Sequence, residues 1–183
     1  MQIIQTLLSG VAVAKSDPVA DNRGVFFRMF CERELAPVMG ERRIVQVNHS
    51  LTRLAGALRG MHFQYPPHAE AKLVSCLHGE VFDVAVDLRC GSPTFLHWHG
   101  VLLSAQNRQS LLIPEGFAHG FQALTGDCEL IYLHTAAYHP EAEGALNAGD
   151  PRLGIAWPLA ITEISERDRN HKLIEHDFQG IAL

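Results

Sequence analysis

Glycine and proline interrupt this chain so often that its apolar residues fall into short runs, and those runs repeat with a period of two. Fifteen glycines and nine prolines are spread through 183 residues, which leaves little room for long helices. In Val81–Leu88, Phe82, Val84, Val86 and Leu88 share one face while Asp83 and Asp87 fall on the other. Val101–Leu103 and Leu111–Ile113 read as further strands. Glu129–Thr135 sets Leu130, Tyr132 and His134 on one side and Ile131 and Leu133 on the opposite side. Many short strands at regular spacing imply a mainly β sandwich or barrel with a few short helices. Glu32–Met39 is one such helix, expected to stop early at Pro37. Ser165 opens another as N-cap, with Asp168 three residues on. No repeat, linker or low-complexity tract divides the chain, so residues 1–183 are expected to form a single domain.

Charge narrows the function classes. The formal net charge is −5, which argues against a nonspecific grip on nucleic acid or on an anionic membrane. Any phosphate on a ligand has to be met by a few placed Arg or Lys residues. Cys31, Cys76, Cys90 and Cys128 show no CxxC spacing and read as buried thiols in a reducing compartment. With no secretory signal or membrane span in view, the expected location is the cytoplasm.

Eleven histidines raise the question of a metal. His97-Trp98-His99 would place two imidazoles on one face, but no acidic residue follows at useful spacing, and the pair reads as surface histidines on an outer strand. More distinctive is Leu58-Arg59-Gly60-Met61-His62-Phe63-Gln64, which ends in the turn Tyr65-Pro66-Pro67. Lys72 shares a face with Val74 and Cys76, and an inward lysine is costly unless an anion or polar ligand meets it. Strict alternation puts Arg59 and His62 on opposite faces; a bulge at Gly60 would bring both inward. The run Ile113-Pro114-Glu115-Gly116-Phe117-Ala118-His119 carries a Pro-x-Gly-x-x-His pattern that resembles the second characteristic motif of the cupin superfamily of jelly-roll barrels.

Taken in order, the motifs resemble the deoxythymidine-diphosphate-4-dehydrorhamnose 3,5-epimerase family over nearly the whole chain. They are Asp21-Asn22-Arg23-Gly24, Gln46-Val47-Asn48-His49-Ser50, Leu58–Gln64, Lys72-Leu73-Val74, Gly79–Arg89, Ser92-Pro93-Thr94-Phe95, Ile113–Phe121, Tyr132, Tyr138, Trp157-Pro158 and Ser165–Asp168. The resemblance implies a cupin-type jelly-roll β-barrel, with amino-terminal strands and a carboxy-terminal helical tail packed on it. It implies inversion at C3 and C5 of a nucleotide-linked 4-keto-6-deoxyhexose by proton abstraction next to the ketone. His62 matches the base, oriented by Asp168; Lys72 matches the stabiliser of the developing oxyanion, and Tyr132 the proton donor. Arg23, Arg59 and His119 match positions that contact the sugar nucleotide. Gln46 and Asn48 match polar positions near the base and sugar, and Tyr138 and Glu143 match others at the rim. No metal or redox cofactor is implied. The expected assembly is a homodimer whose amino-terminal region crosses to the partner, so that Arg23 and Gln46 would serve the neighbouring site. Arg28 stands where the family typically has a glutamate near the nucleotide base, which leaves the base open. The same motifs are shared by 3-only epimerases. The 3,4-ketoisomerases, a sugar-nucleotide-binding barrel without catalysis and a metal-dependent cupin are the other readings.

Overall fold

Each alternating run pairs where its apolar face can be buried, and the computed structural model describes the result for residues 1–183. The chain begins with β1 (Gln2–Gln5) and β2 (Ala12–Lys15), followed by a small hairpin of β3 (Val19–Asp21) and β4 (Gly24–Phe26). After α1 (Glu32–Met39) come β5 (Gln46–Thr52), β6 (Ala57–Gln64), β7 (Lys72–His78) and β8 (Glu80–Asp87). Next are β9 (Trp98–Ser104), β10 (Gln109–Ile113), β11 (Phe117–Ala123) and β12 (Cys128–His134). Two short strands, β13 (Glu143–Ala145) and β14 (Glu163–Ile164), precede α2 (Glu166–Arg169). One sheet runs β1-β2-β10-β7-β12-β5, and the other runs β13-β6-β11-β8-β9 with β14 added parallel to β6. This is the mainly β, cupin-like jelly roll that the sequence implied.

Between the sheets lies an apolar layer of Val13, Val74, Leu111 and Leu130 from one side and Val81, Ala85, Leu103 and Phe121 from the other. Burying a side chain of this size contributes about 2 kcal/mol. The outer face of the second sheet is covered in turn. Leu58, Met61, Val84, Val86 and Leu88 pack beneath Leu146, Leu153, Ile174 and Ile181 of the carboxy-terminal tail. The two faces of β8 therefore separate as the alternation predicts. The Val84–Val86 face points outward under the tail, while Asp83 and Asp87 are both fully buried. Asp87 accepts hydrogen bonds from Arg89 (2.7 Å), Ser92 (2.6 Å) and Thr94 (2.6 Å). Burial opposes its ionisation, but these donors outweigh it and hold the carboxyl at about 2.

Two sequence expectations need correction. The first helix does not stop before Pro37 but runs through it to Met39. Pro37 falls in the last turn, and Leu35 and Met39 are buried against Ala12, Leu73 and Leu112 on the outside of the first sheet, which offsets the missing backbone bond. Nor are all the cysteines buried: Cys76 and Cys128 are, Cys31 is half-buried and Cys90 is exposed, and all four are free thiols. Of the two histidines expected on the surface, His97 is exposed just before the edge strand β9, whereas His99 is half-buried on it, and burial pushes its imidazole down. No helix is long and apolar enough to cross a membrane.

Candidate active site

The bulge expected at Gly60 is what brings the site together. On β11, His119 sits opposite His62 and Phe121 opposite Arg59, so β6 spends one residue more than its neighbour over the same stretch. Gly60 has φ +129°, and a Cβ there would stand 2.5 Å from Gly120 Cα. Only glycine permits this approach. The parity change turns both Arg59 and His62 toward one cavity of about 1290 Å³, which strands β5, β6, β7, β11 and β12 and helix α2 all help to line.

Asp168 reaches this cavity from the far end of the chain. Strand β14 pairs Glu163 with Ala57 and Ile164 with Leu58, which lays the start of α2 beside β6. The Ser165 hydroxyl caps α2 by accepting from the Asp168 backbone N–H at 3.0 Å. The Asp168 carboxylate then accepts from His62 Nε2 at 2.8 Å and from the Gly60 N–H at 3.3 Å. Burial opposes its ionisation, but the His62 hydrogen bond, the Gly60 N–H and the Arg167 charge outweigh it and hold the carboxyl at about 2. A carboxylate at 2.8 Å places the imidazole proton on Nε2 and leaves Nδ1 as the free base.

Three further groups complete the wall. Tyr132 projects inward from β12, its hydroxyl 3.1 Å from Ser50 Oγ, and burial pushes its phenol well up, so that it is protonated at neutral pH. The Lys72 ammonium lies 3.0 Å from Glu70, whose other oxygen accepts from His134 Nδ1 at 2.8 Å. His119 forms a second histidine–carboxylate pair, 2.8 Å from Asp83. At the mouth, the Tyr138 hydroxyl and Arg167 both donate to Glu143, at 3.0 and 3.1 Å. Gln46 accepts from the Tyr138 N–H at 3.0 Å, and the Asn48 amide donates to His134 Nε2 at 3.3 Å. Arg59 bonds only to Thr52 Oγ1 (3.0 Å) and the Leu51 carbonyl (3.3 Å). It has no carboxylate partner, which leaves its charge for a ligand.

Ten of the twelve residues expected at the site thus line this cavity: His62, Lys72, Tyr132, Asp168, Gln46, Asn48, Arg59, His119, Tyr138 and Glu143. Arg23 and Arg28 do not. Arg23 is on the β3–β4 hairpin, paired with Asp21 at 2.5 Å and exposed, and Arg28 pairs with Glu34 of α1. Gln46, expected to serve a neighbour, lines the cavity of its own chain. Sequence reasoning missed Glu70, Asp83 and Arg167. Alternation sets Asp83 and Asp87 together on one face of β8 without showing that this face is buried, and nothing in the sequence marks Glu70 as the anion that an inward Lys72 requires.

His62, Asp168 and His171 bring three donor atoms within 4.8 Å of one another, a possible metal set. Arg167, however, stands 3.3 Å from His62 Nε2 and 3.7 Å from Asp168 Oδ1. A guanidinium there repels a cation and suits proton chemistry instead.

A carboxylate-held imidazole with a free nitrogen, a protonated phenol and a buried ammonium around one cavity can remove a proton, return one, and hold the anion formed between. A jelly roll with that set defines an isomerase that works by proton transfer. Residues 5–176 match the model of the dTDP-4-dehydrorhamnose 3,5-epimerase family, and the chain belongs to that family. It is 44% identical over 174 residues to the dTDP-4-dehydrorhamnose 3,5-epimerase of Methanothermobacter thermautotrophicus, covering 93% of each chain. Among solved structures it resembles a dTDP-6-deoxy-D-glucose-3,5-epimerase from Legionella pneumophila in complex with dTDP-4-keto-L-rhamnose. That match has a TM-score of 0.91 and 40% identity, over 98% of this chain and 97% of the other. A 3′-monoepimerase from Streptomyces bikiniensis in complex with dTDP-quinovose is also similar, with a TM-score of 0.86 and 34% identity over 93% and 86% of the two chains.

Proposed function

We propose that this protein inverts C3 and C5 of a thymidine-diphosphate-linked 4-keto-6-deoxyhexose. The observation that carries the reading is the His62–Asp168 pair, held at 2.8 Å in a cavity shared with Tyr132 and Lys72. His62 Nδ1 removes the hydrogen α to the C4 ketone, and Asp168 stabilises the imidazolium that forms. Lys72 holds the enolate oxygen, and Tyr132 returns a proton. The C3 and C5 hydrogens are both α to the carbonyl, so one set of groups serves both centres. Side chains fill every role, and the reaction so described draws on no metal or redox cofactor. Arg59, with its charge uncommitted, is placed to fork onto the diphosphate.

The working unit proposed is residues 1–183 as one domain, paired with a second copy. Val47 and Leu51 on the edge strand β5, and Val19, Val25 and Phe26 on the β3–β4 hairpin, are apolar side chains left exposed. A partner seated there would cover them, and the exposed hairpin would carry Arg23 toward the neighbouring cavity. Four free thiols suit a reducing cytoplasm. The test is incubation of the enzyme with the thymidine-linked keto sugar in deuterated water. Label at both C3 and C5, lost in His62→Ala, supports the reading; label at C3 alone identifies a 3-only epimerase, and no label refutes proton transfer at this site.

A further inference from the structure

We propose that Glu70 is a positioning residue for this reaction, holding the Lys72 ammonium charged and in place at the oxyanion position through a carboxylate braced by His134. The inference rests on the reading of Lys72 given above. The side chains of Lys72, Glu70 and His134 are 10%, 7% and 10% exposed, so this is a buried ion pair within the cavity wall. Such a pair is a poor device for stability, because the desolvation of two charges consumes most of the attraction, and apolar replacements of equal volume commonly do as well. A buried amine without an anion beside it is favoured in the neutral form. A neutral amine cannot stabilise an enolate as an ammonium does.

The geometry divides the work. His134 Nδ1 donates to one oxygen of Glu70, while His134 Nε2 accepts from the Asn48 amide. Both ring nitrogens are thus occupied with the imidazole neutral, and it acts as a brace that leaves the other Glu70 oxygen for Lys72 at 3.0 Å. Burial opposes the ionisation of Glu70, but the His134 hydrogen bond and the Lys72 charge prevail and hold it below its usual range. The elements around the cavity also carry His49 on β5, Arg59 and His62 on β6, His119 on β11 with Asp83 on β8, Tyr132 on β12, and Arg167 and Asp168 on α2. None of them forms an ion pair with Lys72; Glu70 is its one ionic partner.

The test is the pH dependence of kcat, read as deuterium incorporation, for the wild type, Glu70→Gln, Glu70→Asp and Lys72→Met. In Glu70→Gln the maximal kcat is expected to fall by about threefold or more, because Lys72 loses its hold, and the alkaline limb to move down by about one pH unit or more. Glu70→Asp keeps the charge on a shorter arm and is expected to move that limb by about half a unit. It carries the test alone if Glu70→Gln does not fold. A limb at the wild-type position in the folded variants overturns the proposal, as does a kcat lowered equally at every pH, which is the mark of a merely structural contact. Lys72→Met separates the two levels. If it exchanges as fast as the wild type, the role given to Lys72 is wrong; if it is inactive and the Glu70 limb is unmoved, only the present inference fails.

Discussion

Replacing Asp168 with asparagine removes a charge from the His62 pair and little else, since the amide has nearly the carboxylate's shape and its oxygen can still accept from Nε2. Asp168 titrates at about 2 in place of 3.8, and at about 1.4 kcal/mol per unit this amounts to about 2 kcal/mol of preference for the anion. The group is buried, so solvent screens the interaction little. Burial works against the anion, and among the groups that favour it His62 comes first, followed by the Gly60 N–H and Arg167. Removing the charge should therefore cost the imidazolium about 1.5–2 kcal/mol, a fall in kcat of about 10- to 30-fold. The assay is deuterium incorporation at C3 and C5 at saturating substrate, with thermal unfolding as a control. A folded variant whose kcat stays within about twofold of the wild type would refute the pairing argument. A loss beyond about a thousandfold has a different meaning: the amide has turned its NH2 toward Nε2 and forced the proton onto Nδ1.

Tyr132→Phe should remove the proton donor and leave the base intact; the expected product is substrate labelled with retained configuration, and inversion at the wild-type rate would show that another group donates. For Asp87→Asn the readout is stability against pH. Asp87 has its pKa depressed to about 2, so its contribution of about 2 kcal/mol is complete above about pH 4 and is lost as pH falls through about 2; urea unfolding of the variant should show that acid slope flattened, and an unchanged slope counts against the assignment. Gly60→Ala puts a Cβ 2.5 Å from Gly120 Cα at a φ of +129°. A loss of about 3 kcal/mol by denaturant unfolding, together with reduced exchange activity, is expected; a variant as stable as the wild type would mean that the bulge can relax.

How much of this could be read in advance depends on the range of the interaction. The strands at Val81–Leu88 and Glu129–Thr135 were legible because alternation is a local property, and the Ser165 cap because it spans three residues. Local alternation also separated the two faces of β8, but it could not say which was inside. Asp83 and Asp87 became interior because the tail covers the apolar face, a fact set nearly a hundred residues away. The conflict between Arg59 and His62 was visible as a conflict, and its resolution at Gly60 could be named. What made that resolution real was Gly120 on the neighbouring strand. The roles of His62, Lys72, Tyr132 and Asp168 entered through family resemblance, since their separations along the chain carry no signal of contact. Glu70 and Arg167 stayed hidden for a related reason: a charge on a loop or short helix looks like solvent-facing charge until the cavity beside it is known.

The separation of 106 positions from His62 to Asp168 also sets an order of events during synthesis. By the time Ala145 has left the ribosome, every strand of the two sheets except β14 has been made. The sheets can pair around His62 while its carboxylate is still inside the exit tunnel. A nascent or prematurely terminated chain would therefore present a folded pocket with an unheld imidazole, able to receive a ligand and slow to act on it. Emergence of α2, which brings Asp168 to His62, serves as a late assembly step of the site.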